Sequence, residues 1–462
     1  MPHPATRLAC RALIRFGSVP ALAPVLTVAF GLGATFCSLA QSPGSDTASS
    51  SVASQPSPLT LPQALALAMA SNPELAVQAR ELQAAQGPVV QAGARPNPEL
   101  VTLLEDTRRA TRTTTVQINQ PLELGNKRAA RISAAEYGRD IAAADLATRR
   151  ADVRAAVTGT YFEVWLAQEH LALTQASVGL AQRASEVATR RVQAGKISPV
   201  EQTKARVALA SAQLDAAQAE VALTLARQRL SATWGSATPS FGVVAPLGAD
   251  VDQPAVLTPE VMSEVMARRV EASPVLMRAR IEVQRRQAIS ELARAQRTPD
   301  VTVTLGVKRD EQLGRNQAVI GLSLPLPVFD RNEGNLLEAL RREDKARDEL
   351  QAADIALRTS VLQGAGRLAA SRAAVQAIRE QILPGAQSAF EAASRGFELG
   401  KFNFLDVLDA QRTLFQAQSA YLRARGDVLR ATVELDRLLG GTESAVGPSG
   451  TSATPAPIQN QE

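Results

Sequence analysis

The fold is decided by the segment Gly400-Lys401-Phe402-Asn403-Phe404-Leu405-Asp406-Val407-Leu408-Asp409-Ala410-Gln411, which lies between two long Ala-rich amphipathic stretches. Gly400 is predicted to end the first helix, because glycine adopts the left-handed conformation without strain. Asn403 is predicted to cap the next helix, with Asp406 at the capping-box position. Asp406 and Asp409 are three residues apart, so they share one face of that helix. The segment therefore predicts a tight turn between two helices.

A second segment earlier in the chain has the same design, Gly195-Lys196-Ile197-Ser198-Pro199-Val200-Glu201. Ser198 is the expected cap and Pro199 occupies the first helical position, where proline is favoured. Glu201 is expected to complete the capping box. The sequence therefore predicts two helical hairpins with matching tips.

The two tips belong to a longer internal repeat. Pairs of similar residues recur in the same order at nearly constant separations: Asn72-Pro73 with Ser273-Pro274 (201 residues), Pro121 with Pro325 (204), Gly195-Lys196 with Gly400-Lys401 (205) and Gly235 with Gly440 (205). An ordered set of this kind predicts two copies of one structural unit. We place them at residues 59–235 and 257–440, joined by a connection at 236–256.

Each unit contains two strand-like runs between its helices. The predicted strands are 100–106 and 113–120 in the first unit, and 301–308 and 317–324 in the second. In the third run Val301, Val303, Leu305 and Val307 alternate with Thr302, Thr304, Gly306 and Lys308, which is the period of a strand. Each run has about the length that a transmembrane β-strand needs.

The remaining sequence of each unit is predicted to be helical. Long helices are expected at about 127–194 and 335–399, with shorter return helices at about 198–234 and 403–439. Another half-length helix is expected at about 259–297. Gly159 and Gly364, 205 residues apart, are either close-packing or bending points or helix glycines with no special role.

The two ends of the chain are predicted to lie outside the repeat. Residues 1–40 have the basic start, apolar run and small-residue cleavage site of a secretory signal peptide, with a single membrane anchor as the alternative. Residues 41–58 and 441–462 are rich in small and polar residues and are predicted to be disordered.

Charge and cysteine content exclude several classes of function. Signal cleavage would remove three of the 50 basic residues and leave 47 against 45 acidic ones, without a basic block for nucleic acid. Both cysteines, Cys10 and Cys37, would be lost as well. We therefore expect no disulfide framework, no metal site in the protein and no cofactor.

Four strands per chain cannot close a barrel, and an open sheet edge in lipid leaves backbone groups unpaired. A dimer would supply eight strands and a trimer twelve, both within the range of outer-membrane barrels. The helices are too polar to span a bilayer, so they are expected in the periplasm. A barrel in the membrane with long helices beneath it is the geometry of a channel.

With these features the chain resembles the TolC family of outer-membrane efflux channels over nearly all its mature length. The resemblance implies a homotrimer in the outer-membrane lipid, with a twelve-stranded β-barrel (four strands per chain) continuous with a long periplasmic α-helical barrel. The Gly400–Gln411 segment is similar to the family's periplasmic-entrance motif. By that similarity, Asp406 and Asp409 would ring the tunnel mouth.

The resemblance also implies partners, a periplasmic adaptor protein and an inner-membrane resistance-nodulation-division pump driven by protons. The adaptor would dock at the hairpin tips: Gly195, Lys196, Ser198, Gly400, Lys401 and Asn403. The chain itself has no nucleotide-binding loop and no catalytic constellation, so we expect a passive channel and not an enzyme.

Two segments resemble a subgroup, the outer-membrane components of cobalt–zinc–cadmium-type efflux systems. They are Gln120–Arg128 and Pro325–Gly334, with Asn126 in place of a usual Gly and Glu333 in place of a frequent Gln. The subgroup implies divalent heavy-metal cations as cargo. Export of drugs or other organic compounds is the alternative, and a non-conducting periplasmic coiled-coil scaffold is the more distant one.

Each candidate residue also has an ordinary structural interpretation. Capping of the helix would by itself explain Asp406. Asp409 lies past the capping turn, so capping does not explain it. Glu201 is either a capping residue or part of the aperture, and the tips are either docking sites or solvated turns. Tyr161, Phe162 and Trp165 are expected to pack in the core, and His170 has no partner ligand at helical spacing.

Overall fold

The computed structural model describes residues 58–247 and 266–440 of the 462-residue chain. The predicted signal peptide (1–40), residues 41–57 of the disordered segment predicted at 41–58, and the disordered segment predicted at 441–462 lie outside the described residues. The same holds for 248–256 of the predicted connection and for the start of the helix predicted at 259. The predicted elements of each unit are therefore compared with the structure only within residues 58–247 and 266–440.

In chain order the elements are α1 (Leu61–Ser71), α2 (Pro73–Ala84), α3 (Gln86–Gly93), β1 (Glu99–Glu105), β2 (Thr113–Leu122), α4 (Lys127–Gln193), α5 (Pro199–Ala232), α6 (Pro274–Ala295), β3 (Val301–Asp310), β4 (Arg315–Ser323), α7 (Glu333–Ala377), a π-helical segment (Ile378–Ile382), α8 (Leu383–Glu398) and α9 (Phe404–Leu438). Residues 266–271, ahead of α6, are also helical.

The first hairpin pairs α4 with α5. At 67 residues α4 is about 100 Å long, since an α-helix rises 1.5 Å per residue. Along α5 every seventh residue of one stripe is a buried alanine: Ala205, Ala212, Ala219 and Ala226. A seven-residue repeat of small buried side chains keeps one face of α5 in close contact with its neighbours along its whole length.

The second long helix is interrupted, although the sequence predicts one helix over 335–399. It runs as α7, the π-helical segment and α8, and Pro384 lies in the first turn of α8. Proline has no N–H for the helical ladder and its ring clashes with the preceding turn. The π-helical segment accommodates this local mismatch. α4 has no proline and is continuous.

The half-length helices are also divided, at Asn72 and at Ser273. The predicted helix at 259–297 is therefore broken, because Ser273 has a non-helical backbone (φ −58°, ψ 134°) and Pro274 starts α6. Both break residues fasten the end of a return helix. Asn72 Nδ2 donates to Thr233 O (2.7 Å), and Ser273 Oγ donates to Leu438 O (3.1 Å). The breaks thus have a packing role.

The four strands form one antiparallel sheet in the order β1-β2-β3-β4. All four strand bounds lie within two residues of the predicted ones. One row across the sheet joins Leu100, Ile118, Leu305 and Ile320 and faces the exposed side. The neighbouring row contains Asn119 and Thr304, whose side chains are hydrogen-bonded (2.8 Å). The sheet therefore has one apolar face and one polar face.

Gly159 and Gly364 differ in their surroundings. A Cβ at Gly364 would lie 2.8 Å from Leu435 Cδ2, which is inside a buried cluster. A Cβ at Gly159 would lie 3.9 Å from Val433 Cγ1, an ordinary contact. Gly364 is therefore a close-packing point, whereas the space at Gly159 does not require glycine.

Candidate functional site

The two hairpin tips share one backbone design. Gly195 (φ +69°) and Gly400 (φ +72°) end the helices α4 and α8 in the left-handed conformation, as predicted. The next residue donates back to the helix in each case. Lys196 N donates to Arg191 O and Lys401 N donates to Gly396 O, both at 2.8 Å. We name Gly195–Glu201 tip 1 and Gly400–Asp406 tip 2.

Tip 2 has a complete capping box. The Asn403 side chain accepts a hydrogen bond from Asp406 N (3.0 Å), and Asp406 Oδ2 accepts one from Asn403 N (3.1 Å). These bonds satisfy two of the donors that a helix start leaves free. Asp406 is therefore a capping residue, whatever further role it has.

Tip 1 lacks the box that the sequence predicts. Ser198 Oγ accepts from Val200 N (3.2 Å) and not from Glu201 N. Glu201 Oε2 is enclosed and accepts no hydrogen bond from the described residues. The prediction that Glu201 completes a box is wrong, because the serine bonds one residue earlier and the glutamate side chain turns toward the space between the tips.

A small apolar core holds the two tips together. Phe397, Phe404 and Leu408 from the second hairpin pack with Ala188 and Ala205 from the first. The Phe397 and Phe404 rings are 5.9 Å apart. Because these residues come from both hairpins, the tips are fixed side by side within one chain.

Arg191 joins the two tips from above this core. Its guanidinium lies 3.8 Å from the centroid of the Phe397 ring, and its Nη2 donates to Phe397 O (3.2 Å). A guanidinium over an aromatic face is a favourable cation–π contact. The residue was not singled out from the sequence, although the 205-residue shift pairs it with Gly396.

Gly396 has its own reason to be glycine. A Cβ there would lie 2.1 Å from Phe402 Cδ2, so the ring of Phe402 occupies the space that any side chain would need. At the corresponding positions of tip 1 the chain has Arg191 and Ile197. The two tips thus share a backbone and differ in the side chains that brace it.

An open cleft of about 1190 Å³ lies between the tips. Seven charged side chains line it: Arg190, Arg191, Lys196, Glu201, Glu398, Lys401 and Asp406. Both signs are present, so the cleft of a single chain has no strong net field. The predicted tip residues Gly400 and Asn403 also line it.

Asp406 and Asp409 are both exposed on the first turns of α9. The Asp406 carboxylate is used in the capping box. The Asp409 carboxylate makes no hydrogen bond or ion pair with any residue that the structure describes. The geometry therefore leaves Asp409 available for solvent, ions or another subunit.

The predicted core aromatics are buried farther along α4. Tyr161 is 2% exposed and Trp165 4% exposed, with Phe162 packed against them. Tyr161 Oη donates to Leu59 O (3.0 Å). The prediction of core packing is confirmed. Burial raises the pKa of the Tyr161 hydroxyl above its ordinary value, so this donor stays protonated at neutral pH.

His170 is exposed and borders a groove that also contains Thr174 and Asp215. Within residues 58–247 and 266–440, His, Cys, Asp and Glu side chains form no group of three that could hold a metal ion. Over the same ranges, every helix is too short or too polar to be a membrane span.

Comparison with known protein families identifies the family to which this architecture belongs. A family model described as "Outer membrane efflux protein" matches residues 64–236 and again 268–441. The chain belongs to this family. The two matched ranges each contain one helical hairpin and one strand pair.

Relatives within the outer membrane efflux protein family include metal-resistance proteins. The cobalt-zinc-cadmium resistance protein CzcC of Cupriavidus metallidurans is 49% identical over 384 residues, which covers 83% of this chain and 90% of CzcC. The nickel-cobalt-cadmium resistance protein NccC of Alcaligenes xylosoxydans xylosoxydans is 29% identical, covering 67% and 70%.

A solved structure of an outer membrane protein has the same fold. The outer membrane protein VceC of Vibrio cholerae matches with a TM-score of 0.69 and 19% identity, covering 82% of this chain and 96% of VceC. The resemblance to TolC-type channels and the predictions of efflux function and outer-membrane location are confirmed. The chain is an outer-membrane efflux channel protein.

Proposed function

We propose that the chain is the exit duct of a tripartite efflux system for divalent heavy-metal cations. The observation that carries this proposal is the 49% identity to a cobalt-zinc-cadmium resistance protein along 90% of that protein's length. Identity spread over both hairpins and the sheet supports a shared cargo better than a match confined to one motif.

The duct is proposed to be a homotrimer. β1 and β4 each have one edge without a strand partner in the described chain. Backbone groups on such an edge cannot remain unpaired in lipid, so β4 of one subunit would pair with β1 of the next. Three copies give a closed twelve-stranded barrel, and a cyclic arrangement of this kind closes on itself.

The mouth of the duct is proposed to lie at tip 2. In a trimer, Asp406 and Asp409 would contribute six carboxylates around a narrow opening. Such a ring attracts cations and repels anions. Their exposure in the single chain and the absence of a described partner for the Asp409 carboxylate support this role. Glu201, whose carboxylate is partly enclosed between the tips, is proposed to lie behind the ring.

The tips are also the proposed docking site of a periplasmic adaptor, which would link the duct to a proton-driven resistance-nodulation-division pump in the inner membrane. Lys196 and Lys401 are exposed at the two tips and border the same cleft. Two neighbouring basic residues at the end of the molecule suit acidic or polar side chains of a partner.

Growth of a deletion strain tests the cargo. The strain, with and without the restored gene, is exposed to zinc, cobalt, cadmium and nickel and, in parallel, to dyes and antibiotics. We expect sensitivity to the cations alone. Sensitivity confined to the organic compounds would keep the channel and refute the metal assignment. A restored gene carrying His170→Ala serves as a matched control, which we expect to behave as wild type because His170 borders no metal site.

A further inference from the structure

The apolar face of β4 continues beyond the end of the strand. At alternate positions the chain has exposed apolar residues: Ala318, Ile320, Leu322, Leu324, Leu326 and Val328. The strand itself ends at Ser323. Phe329 follows directly and is fully exposed (101%). The alternation of the strand face is therefore kept for five residues that have no strand partner among the described residues.

We name the segment between β4 and α7, residues 324–332, joint 2, and the segment between β2 and α4, residues 123–126, joint 1. Joint 1 is held by polar contacts with the start of α4 and with Asp300. Glu123 pairs with Arg131 (2.5 Å), and Asp300 accepts from both Leu124 N (3.1 Å) and Lys127 Nζ (2.7 Å). It is shorter than joint 2 and begins with a carboxylate, Glu123.

Joint 2 is fastened mainly at its far end. Asn332 (φ +58°) donates from Nδ2 to Ala293 O at the end of α6 (2.9 Å). Between Ser323 and that point every residue from 324 to 331 is exposed. Pro325 and Pro327 have no N–H, and Val328 N donates to Leu326 O (2.8 Å). At these three positions no backbone N–H needs an acceptor from solvent, which suits a segment in an apolar medium.

The depth of the membrane accounts for the extra length. The lipid-facing band of an outer-membrane barrel is about 25 Å tall, with strands tilted by about 40°. The apolar row from Ala318 to Leu322 alone would span only about 10 Å of depth at 3.3 Å per residue. Joint 2 is not a strand and turns at the bond from Val328 N to Leu326 O, so the row continues in depth only as far as Leu326, to about 20 Å at most. The row therefore approaches the height of the band only when joint 2 is included.

We propose that joint 2 is a membrane anchor. Leu326, Val328 and Phe329 insert into the periplasmic side of the outer-membrane lipid, at the boundary between acyl chains and headgroups. Asp330 and Arg331 follow at once and mark the headgroup level, since aromatic and then charged residues are the usual order at this boundary. The proposal rests on the proposed barrel, because it continues the apolar face of β4.

Spin labels on single cysteines test the anchor in the full-length protein. The variants I320C on the strand, L326C and F329C in joint 2, and L399C at the exposed end of α8 are labelled and reconstituted in phosphatidylethanolamine–phosphatidylglycerol vesicles. Collision with oxygen, which concentrates in lipid, is compared with collision with a water-soluble nickel chelate. Wild-type protein taken through the same labelling is the background control.

We expect the labels at 326 and 329 to resemble the label at 320, with oxygen collisions kept and nickel collisions lost. The label at 399 should show the reverse. Nickel access at 326 and 329 would overturn the anchor, and loss of both kinds of collision would assign the patch to a neighbouring subunit instead. If the label at 320 also collides with nickel, the proposed barrel fails as well, so the two failures are distinguishable.

Discussion

The two hairpin tips reach the same backbone turn with different side chains. Each has a left-handed glycine and a 2.8 Å bond from the following lysine to the fifth residue before it. Tip 2 then has a reciprocal capping box, whereas tip 1 has a single serine bond and a partly enclosed glutamate. The backbone requirement is met by glycine alone, which leaves the side chains free to diverge.

This divergence gives the tips different capacities. The carboxylates of Asp406 and Asp409 lie on the exposed side of α9, whereas the Glu201 carboxylate is enclosed beside the cleft between the tips. Arg191 replaces the Gly396–Phe402 contact and ties tip 1 to Phe397 of the second hairpin. Tip 1 therefore acts as a brace, and tip 2 presents charge to its surroundings.

The largest contrast is expected between the glycines of the two long helices. Gly364→Ala should lower the free energy of unfolding by about 1–3 kcal/mol, since Leu435 is buried and cannot move away from the added Cβ. Gly159→Ala is the matched control. It should be neutral or stabilising by up to about 1 kcal/mol, because alanine is the better helix former. Thermal unfolding of the purified variants measures both, and equal effects would contradict the different packing.

A second contrast concerns the caps. Asn403→Ala removes the side-chain oxygen that accepts from Asp406 N, leaves only the bond from the backbone N of residue 403 to Asp406, and should cost about 1 kcal/mol, within the usual range for a helix cap. Ser198→Ala removes one long bond and should cost less, about 0.5 kcal/mol. Proteolysis at the two tips and thermal unfolding check the order. A larger loss for Ser198→Ala would show that tip 1 depends on its cap more than its geometry indicates.

The fold could be predicted from the sequence to the extent that it depends on local patterns. Strand alternation and the glycine turns are short-range signals, and their positions agree with the structure to within two residues. The interruption at Pro384 was also present in the sequence, but the Ala-rich helical pattern around it outweighed it. Ser273 belongs to the repeat, and Pro274 directly after it is a helix-start signal that indicates the break.

The site was harder to predict because it depends on contacts between distant residues. Arg191 and Phe397 are 206 positions apart, and no local sequence motif predicts their contact. The failed box of tip 1 shows a further limit of motif reading, since Ser198 and Glu201 have the right spacing but Ser198 bonds Val200 N. Which of several nearby backbone N–H groups a capping side chain accepts from depends on how the surrounding residues pack.

The smallest contrast involves ion pairs at the far ends of the return helices. A hydrogen bond from Arg437 holds the pKa of Glu434 below its ordinary value of 4.5. A lowered carboxyl pKa adds stability above pH 4.5 that is lost as the pH falls through the folded pKa. Both side chains are nearly half exposed, so solvent screening limits the gain to about 0.5 kcal/mol.

Glu434→Gln should therefore lower the melting temperature slightly at pH 7, and the difference from wild type should shrink below pH 4.5 and vanish once the pH is below the folded pKa. Glu163→Gln in the first hairpin is the control, because Glu163 and Arg229 are 3.8 Å apart and Arg229 is more exposed than Arg437. It should leave the melting temperature unchanged at both pH values. A difference for Glu434→Gln that persists in acid would rule out the ion pair as its cause.

The most direct test of the account is the reversal potential of the reconstituted channel in a potassium chloride gradient at pH 7. Asp406→Asn combined with Asp409→Asn removes the proposed ring charge, and the amide oxygen introduced at position 406 can still accept from Asn403 N. Glu201→Gln is the matched control in tip 1. We predict cation selectivity for the wild type and for Glu201→Gln, and its loss in the double variant. Unchanged selectivity in the double variant would contradict the assignment of the channel mouth to tip 2.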